Sequence, residues 1–361
     1  MLTIILDNNK HIFKDIKKLL PILRWGEVLL LICLLISCSA KVPPYNIFSF
    51  SGNTMGTSYQ VKIVLPKGQV LPEGIGEKIY ACLSKIDDLM STYKSDSELS
   101  RFNQHKDNTP FPVSIETREV FNISLEIARQ TDGAFDLTVF PLVEIWGFGP
   151  KSIQQPPTKE QIENARKKVD YQKIEILPEG IKKHNPEIQC DFSAVAKGYA
   201  VDKVAELLDQ NSFNSYMIEV GGEVRVKGEK FPGTAWTIGI ERPVSMEHSI
   251  FLAIKLKDRA MASSGNYRNF YFWEGKKYSH EIDPHTGYPV PNTIAAVSVI
   301  NPSCAYADAY ATAFMVMGKE KAFRFAEKYH IPALFIYPIN ETQFKEQTTS
   351  AWEQIINNSS R

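Results

Sequence analysis

The order of elements along the sequence predicts an α+β fold: a single domain with a mixed, largely antiparallel sheet and flanking helices. Three observations carry this. Strand-like runs come in a block, at 215–222, 223–228, 236–241, 250–257, 259–263, 270–273, 278–282 and 294–300. Helical runs come in pairs, such as 305–317 and 319–329, where a doubly wound parallel fold would alternate strand and helix. No interior linker and no fixed-period repeat divides the chain, so residues 49–340 read as one domain.

Taken in order, the amino terminus reads as a targeting segment. Lys10, Lys14, Lys17, Lys18 and Arg24 form a basic region, and the apolar run 28–36 is too short to span a bilayer comfortably. It ends in Leu35-Ile36-Ser37-Cys38, which resembles a bacterial lipobox. The expectation is a lipoprotein signal peptide at 1–37, lipidation of Cys38, a tether to residue 48, and a lipid-anchored protein of the bacterial cell envelope, on the periplasmic side of the inner membrane. Residues 59–65 alternate as a half-solvated strand. Residues 73–91 place Ile75, Ile79, Cys82, Leu83, Ile86 and Met90 at helical spacing, and 116–130 repeats the pattern. Thr158-Lys-Glu-Gln161 is a capping box opening a charged helix to about 169. A strand at 333–337 follows the last helix pair, and 341–361 reads as a polar tail.

The chain has 361 residues, of which 43% are hydrophobic, and its 41 basic and 41 acidic residues cancel. That balance argues against nucleic acid as a partner, and any anionic ligand must be met by local groups. Outside the amino-terminal segment the cysteines are Cys82, Cys190 and Cys304, with neither zinc spacing nor a disulfide framework.

Three stretches carry chemistry. Asp191-Phe-Ser-Ala-Val-Ala-Lys-Gly-Tyr-Ala-Val-Asp202 follows an apolar run ending at Cys190 and opens a helix at 196–209. It reads as strand, tight loop, helix. Its small residues let phosphates approach the backbone, the helix start offers N–H groups, and Lys197 adds a charge. It equally fits a helix packed closely on a strand. Asp308-Ala-Tyr-Ala-Thr312 places two hard oxygens one helical turn apart, suited to Mg²⁺ held with phosphates and water. It also fits an Asp serving the helix N-terminus above a packed Thr. Ser279-His-Glu-Ile-Asp-Pro-His-Thr-Gly-Tyr-Pro289 is a rigid double turn with His280 at a strand end. Asp136 stands in an otherwise apolar segment, where a lone carboxylate needs a partner. No nucleophile elbow and no His-Glu-x-x-His is present, so the chemistry, if any, is metal-assisted displacement at phosphorus.

In this order the motifs resemble the ApbE family of FAD:protein FMN transferases. The matching residues are Thr54-Met-Gly-Thr57, Ser91-Thr-Tyr-Lys94, Asp96-Ser-Glu-Leu-Ser-Arg-Phe-Asn103, Thr131-Asp-Gly-Ala-Phe-Asp136, and Trp146-Gly-Phe-Gly149. They continue through Asp191 to Gly198, Gly221-Gly222, Ser263-Ser-Gly-Asn-Tyr-Arg268, His280 with Asp283-Pro284 and Thr286-Gly287, and Asp308 with Thr312. The resemblance implies a T-fold-like domain that binds FAD in a cleft, requires Mg²⁺, and moves FMN onto a Thr or Ser hydroxyl of a target flavoprotein, a subunit of a membrane redox complex, releasing AMP. By position it implies FAD contacts at Met55, Thr92, Tyr93, Ala134, Phe135, Asp136, Asp191, Lys197 and Ile282. It implies metal ligands at Asp308, Thr312 and the Ala194 carbonyl, and places His280 near the pyrophosphate. Phe192 and Glu281 depart from the family pattern, Glu281 at a usually apolar position. His280 is the candidate general base by residue type, with Asp308 acting through the metal as rival. Two other readings stay open: a Mg²⁺-dependent FAD pyrophosphatase, and a lipid-anchored flavin-binding protein without turnover.

Overall fold

The alternation at 59–65 forms the strand it predicts, and the residues on either side of it explain the architecture. The computed structural model describes residues 44–151, 153–244, 249–291, 293–340 and 342–359. The expected signal peptide, 1–37, and the expected lipidation site, Cys38, lie outside the described residues. Strands β1 (Tyr45–Thr54) and β2 (Thr57–Pro66) form a hairpin, so the expected tether is already strand from Tyr45. Helix α1 (Ile75–Met90) buries the stripe Ile75, Ile79, Leu83, Ile86 and Met90. Helices α2 (Glu98–Gln104) and α3 (Ile115–Gln130) start at Ser97 and Ser114, whose hydroxyls accept from the backbone three residues on. The short α4 (Phe140–Ile145) follows, and α5 (Lys159–Arg166) opens with the predicted capping box of Thr158 and Gln161.

A small hairpin, β3 (Ile174–Leu177) and β4 (Gly180–Lys183), leads to α6 (Ala196–Gln210). Then come β5 (Tyr216–Val220), β6 (Glu223–Lys227), β7 (Trp236–Glu241), β8 (Ile250–Leu256) and β9 (Arg259–Gly265). The hairpin β10 (Phe270–Trp273) and β11 (Lys276–Ser279) precedes β12 (Ala296–Asn301). The chain closes with α7 (Cys304–Met317), α8 (Lys319–Lys328), β13 (Ala333–Pro338), β14 (Phe344–Thr348) and α9 (Ser350–Ser359).

Eight strands form one sheet in the order β1-β2-β5-β6-β9-β12-β13-β14, and every pairing in it is antiparallel. Both faces are buried. Val61, Ile63, Ala262, Val297 and Val299 point to the large core under α1, α3, α6 and α7. Their neighbours Val64, Met261, Ala296 and Ile300 point the other way, onto the β7–β8 hairpin and Trp352 of α9. The period of two in the strands thus assigns each residue to a layer.

Two expectations are corrected. Residues 341–361 are not a polar tail: β14 pairs with β13, and Trp352 is 2% exposed in the second core. The segment is polar because its solvent side is long; Phe344, Trp352, Ile355 and Ile356 suffice to dock it. The run ending at Cys190 is not a strand. It is held straight by a side chain: Asn103 Nδ2 donates to Cys190 O at 2.8 Å, and Cys190 N donates to Asn103 Oδ1 at 2.7 Å. The amide mimics a neighbouring strand from 87 residues away.

Candidate active site

The site begins where α6 meets α7. Asp202 on α6 is buried and accepts from Ser303 Oγ at 2.7 Å, Cys304 N at 3.0 Å, Ala305 N at 3.1 Å, and from Arg225. It therefore satisfies the first free N–H groups of α7 from a neighbouring helix. One turn earlier, Gly198 lies so close to α7 that a Cβ there would sit 2.4 Å from Cys304 O. Gly198 N donates to Asp308 Oδ2 at 3.1 Å. The small residues of the 191–202 stretch thus serve two ends. Gly198 lets two helices touch, whereas Ser193 and Ala194 face a cavity.

That cavity measures about 460 Å³. Asp308 and Thr312 of α7 line it together with Lys197, Ala194 and Asp191. Thr312 Oγ1 lies 3.1 Å from Ser264 Oγ, and Ser263 Oγ lies 2.7 Å from Ser298 Oγ, so β9 and β12 contribute a hydroxylated floor. Lys197 Nζ stands 3.4 Å from Glu223 Oε1 and 3.7 Å from Asp308 Oδ2. Burial works against its ammonium, yet Asp308 and Glu223 together hold its pKa above the ordinary lysine value. Burial pushes Glu223 up to about 8, against the pull of Lys197, and Glu223 Oε2 has no hydrogen-bond partner. Burial also raises Asp308, moderated by Lys197 and the Gly198 N–H.

Aromatic and turn residues also line the cavity. Ala134, Phe135 and Asp136 line the cavity. The expected partners of Asp136 are real: its Oδ1 accepts from Thr138 N at 2.7 Å and from Thr138 Oγ1, and its Oδ2 from Tyr171 N at 3.2 Å. Burial outweighs these bonds and raises it to about 6. Asp191 is raised too, by burial, against two bonds from Ser193. Tyr93 stands exposed at the mouth and donates from its hydroxyl to Phe148 O at 3.2 Å. Trp146 Nε1 donates to Gly287 O at 2.8 Å, locking the Trp-Gly-Phe-Gly segment onto the Asp283–Gly287 double turn. That turn presents His280, Glu281 and Ile282 to the cavity.

The cavity therefore gathers His280, Asp308, Thr312, Ala194, Lys197, Asp191, Asp136, Ala134, Phe135, Tyr93 and Ile282 from the sequence reading. It does not gather Met55 and Thr92. Met55 sits in the β1–β2 turn with φ 48° and packs partly on the main core; Thr92 is half-buried beside Tyr93. Glu223 was missed, although it directly follows Gly221-Gly222. A charge after two glycines reads as a solvated turn, and only its burial shows otherwise. Cys82, Cys190 and Cys304 are free thiols. Among the described residues no three His, Cys, Asp or Glu side chains cluster as a metal site. The hard oxygens of Asp308, Thr312 and Ala194 fit a Mg²⁺ ion that completes its shell with phosphate oxygens and water.

A family model described as "ApbE family" matches residues 55–335. A protein of Vibrio cholerae named FAD:protein FMN transferase is 39% identical over 92% of this chain and 98% of its own. One of the same name from Haemophilus influenzae is 38% identical over 90% of this chain and 96% of its own. The solved flavin transferase ApbE of Vibrio cholerae superposes over 86% of this chain and 100% of its own with a TM-score of 0.79. The apo flavinyl transferase ApbE of Pseudomonas stutzeri, 34% identical, covers 88% of this chain and 98% of its own at 0.80. The chain belongs to the ApbE family.

Proposed function

We propose that this enzyme moves the FMN moiety of FAD onto the hydroxyl of a Thr or Ser in an acceptor flavoprotein and releases AMP. The observation that carries the reading is the convergence of Asp308, Thr312, Lys197 and His280 around one cavity. Lys197, in the first turn of α6, is a fixed charge for the phosphate end. Asp308, Thr312 and the Ala194 carbonyl would hold Mg²⁺. Bound there, the ion supplies charge neutralisation to the pyrophosphate as AMP leaves. Asp136, Ala134, Phe135, Ile282 and Tyr93 line the same cavity, where they orient the rest of the dinucleotide. His280 takes the hydroxyl proton.

One assay separates transfer from hydrolysis and from carriage. The chain is incubated with FAD, Mg²⁺ and a candidate flavoprotein subunit of a membrane redox complex, and AMP and acceptor mass are followed. An acceptor that gains one FMN per AMP released supports transfer. AMP with no acceptor gain makes the chain a pyrophosphatase, and retained FAD with neither product makes it a carrier. The envelope location rests on the Leu35-Ile36-Ser37-Cys38 motif alone. On this reading Cys38→Ser moves the protein from the membrane to the soluble fraction of bacterial lysates, and a membrane-bound variant removes the lipid anchor.

A further inference from the structure

Glu281 is 5% exposed, lines the cavity, and has no hydrogen-bond partner on either carboxylate oxygen. A carboxylate taken out of water without hydrogen bonds costs stability, and such a group calls for a reason other than packing. Its backbone is fixed on both sides: Val290 N donates to Glu281 O at 2.9 Å, and Ile282 bridges to Pro289. The side chain is therefore aimed, not displaced. Its Oε2 lies 3.4 Å from His280 Nδ1. The same Nδ1 lies 3.2 Å from the Asn269 carbonyl oxygen. A carbonyl only accepts, so Nδ1 carries the proton and Nε2 keeps the lone pair. The other cation acting on Glu281 is Lys277, on β11.

We infer that Glu281 is a positioning residue for the transfer, acting through His280; the inference rests on the transferase reading above. As the acceptor hydroxyl oxygen forms its bond to the FMN phosphorus, Nε2 takes the hydroxyl proton. The bond from that phosphorus to the bridging oxygen breaks, and AMP leaves with the electron pair. The imidazole is then a cation held between the Asn269 carbonyl and the Glu281 carboxylate, and it returns its proton to solvent once AMP has left. Glu281 supplies the balancing charge where the cation forms and holds Nδ1–H, which keeps Nε2 free.

The test is a double-mutant cycle on the full chain with FAD, Mg²⁺ and, as substrate, the unmodified form of the acceptor subunit identified in the preceding assay. Glu281→Leu fills the buried site with an apolar side chain, so its ligand-free Tm stays level or rises. Its affinity for FAD stays within about twofold, while kcat falls about tenfold or more, within the range a general base contributes. In a His280→Ala background the same change brings no further loss, because the residue it acts through is gone. Glu281→Gln keeps the shape and removes only the charge; it shows the same kcat loss and carries the reading if the leucine variant misfolds. Wild-type kcat in Glu281→Gln, or a Glu281→Leu loss that adds in full to that of His280→Ala, overturns the proposal. A lowered Tm in both variants makes Glu281 a structural residue and overturns it as well. Should the chain prove a pyrophosphatase, the cycle on AMP release still separates Glu281 from the identity of the acceptor.

Discussion

Gly198→Ala is the sharpest test of how the site is assembled. The added methyl would lie 2.4 Å from Cys304 O, 2.6 Å from Cys304 C and 2.8 Å from Ala305 N, all backbone atoms that no rotamer change can move. Ordinary contact begins near 3.4 Å, so α7 must withdraw by about 1 Å at its first turn. Overpacking of this kind costs about 1–3 kcal/mol. The Gly198 N–H bond to the Asp308 carboxylate stretches with it, and a bond to a charged group contributes about 1.5–3 kcal/mol. Alanine returns about 1 kcal/mol of helix propensity. The net expectation is a loss of roughly 2–4 kcal/mol. Urea unfolding reads that loss as a lower midpoint at unchanged slope. Because Asp308 and Thr312 ride on α7, turnover of FAD falls as well, about 100-fold for a displacement of about 1 Å. A variant with the wild-type midpoint and wild-type turnover would refute the idea that the α6–α7 contact sets the site.

Two further outcomes follow from the buried charges. Asp308→Asn keeps an acceptor for Gly198 N–H but removes the charge, so the protein folds and turnover is lost; full AMP release in that variant would remove Asp308 from the phosphate site. Asp136, raised to about 6 by burial, keeps in the native state a proton that the unfolded chain releases from about pH 4. Stability from this group is full below the unfolded pKa and is lost as pH rises through about 6, with a slope of up to about 1.4 kcal/mol per pH unit. Asp136→Asn removes that slope, read as urea midpoints from pH 4 to 7; parallel curves for the two proteins would show that Asp136 does not titrate there.

What the sequence made legible tracks how local the physics is. The stripe of α1 and the capping box of α5 are set by residues within a turn or two of one another and stand as expected; β2 forms as a strand, but its expected solvated face is covered at Val64 by the second core. The Cys190 segment misled because its straightness comes from Asn103, remote in sequence. The tail misled because docking needed only a few apolar residues among many polar ones. At the site, residue type announced Asp308, Thr312 and Lys197, but Glu223 and Glu281 look like any charged residue near a turn. Their meaning lies in burial: Glu223 Oε2 and both oxygens of Glu281 lack hydrogen-bond partners, which no spacing reveals.

The charge arrangement explains why this cavity is suited to a ligand that brings a cation with it. The chain has no net charge, so no long-range field draws an anion in. Locally Lys197, which lines the cavity, is already faced by Asp308 and Glu223. Burial raises both carboxylates, Glu223 to about 8, which keeps Glu223 largely protonated at neutral pH and leaves the trio close to neutral. A neutral wall tolerates the empty cavity but does not offset a pyrophosphate. Adding a doubly negative group beside Asp308 without a further positive charge would place like charges together in a poorly solvated space. A divalent cation arriving with the pyrophosphate resolves this, and it supports the Mg²⁺ reading of Asp308, Thr312 and the Ala194 carbonyl. On the proposed reading, the residues of α7 would meet the phosphate charge, whereas His280, with Glu281 3.4 Å away, would take the single proton of the acceptor hydroxyl.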